Sequence, residues 1–124
     1  MNDKVKMGLR ILLGVMMIVF GANKFGNFMP MPAPAGEWGV LMGSLTSSGF
    51  MTLIGILEIV GGLLLVVGKY VPLALTVVAA ILFNAAVLHG LYDPANITGA
   101  IVFLIITLVL IYFNKERFRE LLSS

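Results

Sequence analysis

Polar positions are sparse in this chain and cluster between long apolar runs. Four runs stand out, at about 5–25, 47–67, 71–91 and 94–113. Each has roughly the 17–25 residues that a helix needs to cross about 30 Å of hydrocarbon. Their ends carry helix punctuation. Gly68 suits a C-terminal stop, Pro72 suits the first turn of the next helix, and Asp93 suits an N-cap ahead of Pro94. The pattern predicts an all-α, four-helix transmembrane bundle that forms a single domain over 1–124.

Within the runs, the exceptions to apolarity fall on helical faces. Arg10, Gly14, Met17, Gly21 and Lys24 share one face of the first span, charged at both ends and small in the middle. Glycines on such a face let a neighbouring backbone come close. Gly55, Glu58 and Gly62 share a face of the second span. The only long connection joins these two spans, and its 29–36 stretch holds Pro30, Pro32 and Pro34, which excludes a regular helix there. A short interfacial helix is expected over 37–45, with Trp38 anchored at headgroup depth. This structured loop reads most simply as a surface plug over the bundle.

With four crossings, Lys4, Lys6, Arg10, Lys69, Lys115, Arg117 and Arg119 fall on one side, and Lys24 alone on the other. The positive-inside rule then places both termini in the cytoplasm and the long loop and Asp93 outside. The 114–124 tail reads as a short helical continuation along the inner surface.

Composition strengthens this picture. The 124 residues are 60% hydrophobic and 11% charged, against about 45–50% and 25% in soluble domains. There is no cysteine, which removes disulfides, thiol relays and Cys-ligated metals. The net charge of +2 comes from basic residues flanking apolar runs, which points to membrane anchoring and away from nucleic acid. Arg10 interrupts the first run and no small-x-small cleavage pattern follows it, so that run reads as a retained helix, not a signal peptide.

Glu58 needs a reason to exist. A charge at the centre of a membrane helix costs about 2.5–3.5 kcal/mol. Side chains lean toward the N-terminus of their own helix. On the predicted topology Glu58 leans outward and Lys24 leans back toward the midplane, so Lys24 is the expected partner. Arg10, shallow on the opposite side, reads as a structural or headgroup-binding residue. His89, near the outer end of the third span, leans the same way as Lys24. One cavity in the outer half is therefore expected around Lys24, Glu58 and His89. Asn84 lies five residues from His89, roughly 140° round the helix, and either borders the cavity or serves another neighbour. Trp38, Phe25 and Phe28 are candidates to wall its mouth.

Two readings of this polar set compete. It is glue that fixes the register of the helices, or it is a site for a small amphipathic molecule. A metal centre is disfavoured: Glu58, His89 and Asp93 are conceivable ligands, but there is one histidine and no His-x-x-x-His spacing. No phosphate loop, dinucleotide fingerprint or Ser-His-Asp arrangement is present, and Asn96-Ile-Thr98 reads as a chance match to the glycosylation pattern.

Arg10-Ile-Leu-Leu-Gly14 with Gly21-Ala-Asn-Lys24-Phe25, and Leu57-Glu58-Ile-Val-Gly61-Gly62 running on to Gly68, resemble the first- and second-helix signatures of DoxX-like membrane proteins. His89 is similar to a polar position often seen late in their third helix. The resemblance covers the first three spans. It implies a four-helix protein of the inner (plasma) membrane, in a family that includes subunits linked to sulfur-compound and quinone oxidoreduction, partners of redox or detoxification complexes, and distant relatives that assist receptor assembly.

Two functions are therefore expected to compete. One is a redox-associated subunit that binds a quinone through Lys24, Glu58, His89, Asn84 and Trp38. The other is a non-enzymatic assembly or chaperone subunit. Expected partners are the lipid bilayer, another membrane or redox protein, or a second copy of the chain. No reaction and no catalytic residue is assigned. A small transporter is a weaker reading, since nothing suggests broken spans or an inverted repeat.

Overall fold

The structure, a computed structural model, describes residues 2–26 and 36–122. The proline-rich 29–35 stretch and Phe28 lie outside the described residues. The chain is all-α there: α1 (Asp3–Gly26), α2 (Gly36–Ser47), α3 (Phe50–Val67), α4 (Val71–Tyr92), α5 (Thr98–Phe113) and α6 (Lys115–Leu122), with a 3-10 turn at Pro94–Asn96. Three of these, α1, α3 and α4, are long and apolar enough to cross a membrane, and α5 is a shorter apolar helix.

The α1–α3 pair is antiparallel and unusually close. A Cβ placed on Gly14 would meet the Gly62 carbonyl oxygen at 2.7 Å, and one on Gly21 would meet that of Gly55 at 2.7 Å. The two glycine pairs recur after the same seven-residue step in each helix, so the backbones touch at two levels. Small residues give this approach its van der Waals gain where lipid supplies no hydrophobic drive. Met17, between the pairs on α1, is fully buried. Gly61, one residue round α3, faces α4 instead, with Val78 beside it. The rest of the buried core is Leu13, Leu65, Val71, Ala74, Leu75, Val78, Leu82, Leu110 and Phe118.

The short turns follow the sequence punctuation. Gly68 adopts a left-handed conformation, φ 85°, and its N–H closes the end of α3 on the Leu64 carbonyl at 2.8 Å. Tyr70 is also left-handed, φ 50°, just ahead of the proline that opens α4. A turn of two residues, Ser48 and Gly49, joins α2 to α3.

Three boundaries differ from expectation. The second membrane helix begins at Phe50 and not near 47, because Gly49 at φ 86° breaks the chain there. The fourth does not begin as an α-helix at Pro94. A 3-10 turn intervenes and α5 has 16 residues, about 24 Å at 1.5 Å per residue. Asp93 precedes that turn without making a side-chain cap bond. The tail is a separate helix, α6, set off at Asn114, and its Phe118 is buried.

Candidate functional site

Most polar side chains inside the spans are satisfied on their own helix. Thr76, Asn84, Thr107 and Asn114 each donate to the carbonyl four residues earlier, on Pro72, Ala80, Phe103 and Leu110, at 2.7–2.8 Å. This is the cheapest way to keep a polar group where water is excluded. Asn84, exposed and turned back on Ala80, is one of these.

Glu58 and Lys24 are different. Glu58 sits in mid-α3, its side chain 5% exposed, and Lys24 comes from the last turn of α1, its side chain 23% exposed. Lys24 Nζ lies 2.5 Å from Glu58 Oε1. The contact is a close ion pair, and Oε1 has no further partner among the described residues. The glycines make the pair possible. Gly21 lets α3 approach until the Glu58 Cβ is 3.1 Å from where a Gly21 Cβ would stand. Gly55 leaves room for Phe25 and the stem of Lys24, whose atoms would lie 3.0 and 3.4 Å from a Cβ there. Lys24 also ends α1, where the helix macrodipole favours a cation.

A second cluster lies between α2 and α4. The Trp38 ring stands 5.3 Å from His89 and stacks at 6.1 Å on Tyr92, with 24° between planes. His89 Nδ1 is buried without a hydrogen bond, 3.7 Å from Asp93 Oδ2. The i,i+4 spacing of His89 and Asp93 was available in the sequence as a pairing signal. Tyr92 carried no such signal, since its contact depends on where α2 folds back.

The expected site residues thus fall into groups. Lys24 joins Glu58, Trp38 joins His89, and Asn84 turns to its own backbone. Among the described residues no hydrogen bond or ion pair links His89 to Lys24 or Glu58. Phe25 packs beside the ion pair at Gly55 but is half exposed.

No curated protein and no solved structure matches the chain. The family model of DoxX matches residues 5–91, which spans α1 to α4 and covers both members of the ion pair and the glycine seam. With three helices of membrane-crossing length and apolarity, this chain is a small multi-pass integral membrane protein and belongs to the DoxX family.

Proposed function

We propose that this protein is a redox-associated subunit of the plasma (inner) membrane that binds the headgroup of a quinone, or of a similar small amphipathic molecule, at the Lys24–Glu58 end of the bundle. The observation that carries the reading is the asymmetry of the ion pair: Glu58 is buried, while Lys24 keeps 23% of its side chain exposed. A quinone carbonyl needs a donor at the rim of an apolar slot. Lys24 can turn one N–H outward while Glu58 holds its charge in place. Trp38, His89 and Tyr92 supply aromatic surface at the same end. In this reading both termini are cytoplasmic and the site opens to the outer half of the membrane.

Trp38 is the sole tryptophan, so intrinsic emission reports on this end. A short-chain ubiquinone analogue added to purified protein is expected to quench it saturably and raise Tm. Lys24→Met is expected to weaken the binding at least about tenfold, the value of one hydrogen bond to a charged group. No response in either signal overturns the reading.

The close glycine packing around the pair favours a second reading, in which Lys24–Glu58 locks the α1–α3 register and the protein is an assembly subunit. Gentle solubilisation of native membranes should then retrieve a stoichiometric partner protein, and quinone should bind nowhere.

A further inference from the structure

The opposite end of the α1–α3 seam is built around Arg10. Its guanidinium lies against Gly68, and a Cβ there would come 2.9 Å from Nη1. Arg10 Nε is buried and has no hydrogen-bond partner among the described residues. Beside it opens a cavity of about 220 Å³, to which α1 contributes Asp3, Lys6 and Arg10, and α6 contributes Arg117. Its floor is apolar, formed by Val71 and Leu110, both fully buried. Asn114 stands at its edge and marks the break that brings α6 back over the bundle end.

Three cations against one carboxylate leave a net charge of +2 on this cavity. Among the described residues none of the three is ion-paired, whereas Glu116, next to Arg117 in the chain, faces Arg119. The volume is below the roughly 300–1,000 Å³ usual for drug-sized ligands, so it suits a small anion. Phosphate oxygens match a guanidinium fork, and an ester link lets the rest of the molecule leave through the open side. The cavity also lies at the ends of the apolar helices α1 and α4, so in a bilayer that they cross it would sit near the phosphates.

We propose that this cavity binds the phosphate of an anionic phospholipid headgroup, held by Lys6, Arg10 and Arg117. The lipid's acyl chains would lie along the apolar outer surface of the bundle. Bound there, the headgroup pins α6 to α1 and answers the charge of Arg10.

The test uses the purified full chain in a neutral detergent, read by native mass spectrometry and thermal melting. Cardiolipin or phosphatidylglycerol is expected to remain bound and to raise Tm, and phosphatidylcholine is not. Lys6→Gln and Arg117→Gln are each expected to weaken retention about fivefold, as loss of one basic residue near an anionic surface predicts. Lys69→Gln removes the same charge from the same end outside the cavity and should leave retention within about twofold. Three results would overturn the proposal: equal retention of phosphatidylcholine, equal weakening by Lys69→Gln, or full stabilisation by inorganic phosphate alone. The last would make the ligand a soluble anion and not a lipid.

Discussion

The two ends of the α1–α3 seam solve one problem in opposite ways. Each places a cation from α1 near α3 in an apolar setting. At one end Lys24 meets a carboxylate from α3, and the charge is neutralised inside the protein. At the other, Arg10 meets the backbone end of α3 at Gly68, where the helix dipole supplies only a partial negative charge, and further cations gather beside it. The contrast lies in charge balance: Glu58 answers Lys24 within the protein, whereas no carboxylate pairs with Arg10 among the described residues. An end that balances its own charge suits a neutral, hydrogen-bonding headgroup, and an end left positive suits the anion proposed above.

The sharpest way to break this contrast is to unbalance the Lys24 end. Lys24→Met strands Glu58, the more deeply buried partner, and is expected to cost about 3 kcal/mol, at the low end of what breaking a buried pair costs. Glu58→Gln strands Lys24, which can still turn its partly exposed ammonium toward water, and should cost less, about 1–2 kcal/mol. The double variant is expected to recover much of the loss. Equilibrium unfolding in mixed detergent gives all three values. If the double variant is as unstable as the sum of the singles, the pair is not coupled and the charge balance at that end is misread.

The glycines between the ends provide the next test. Gly62→Ala would place a Cβ against the Gly14 carbonyl and force the helices apart, at about 1–3 kcal/mol. Gly8→Ala, on α1 with nothing within 4 Å of the new Cβ, should instead stabilise by about 0.4–1 kcal/mol. Gly68→Ala falls between these two in kind. It strains a left-handed residue and presses on Arg10, for about 1–2 kcal/mol. If the basic end depends on the seat of Arg10, the Gly68→Ala variant should also hold anionic lipid less well, whereas Gly62→Ala should not.

What was legible in the sequence follows the same division. The α1–α3 seam could be read from the order of residues alone because its signals are local. Glycines and charges recur at helical offsets, and the lean of side chains along a helix is enough to choose Lys24 over Arg10 for Glu58. The start of α5 was not legible, because Asp93-Pro94 looks the same before a 3-10 turn as before an α-helix. The basic cavity was not legible either. Lys6 and Arg10 sit one turn apart on α1, but Arg117 joins them only once Asn114 ends α5 and α6 folds back. The Trp38 cluster likewise depends on the path from α1 to α2, which no periodicity dictates.

The smallest expected effect bears on whether the Lys24 end holds one site or two. His89→Leu removes a ring contact from Trp38 and leaves Asp93 without its i,i+4 neighbour. The His89 and Asp93 side chains are both 26% exposed, so the cost should be only about 0.5–1 kcal/mol. The informative quantity is its coupling to Lys24→Met. The two residues lie on different helix pairs, α2–α4 and α1–α3, and if those pairs act separately the two losses should add within about 0.3–0.5 kcal/mol. A larger coupling would mean that His89 and Lys24 border one cavity, as the lean of their helices predicts. Trp38 emission gives a second reading of the same question. Lys24→Met should leave it unchanged if the clusters are independent, and shift it if they share a polar wall. A shared wall would make the opposite end a true counterpart of the basic cavity, with two pockets on one seam, each completed by a different molecule.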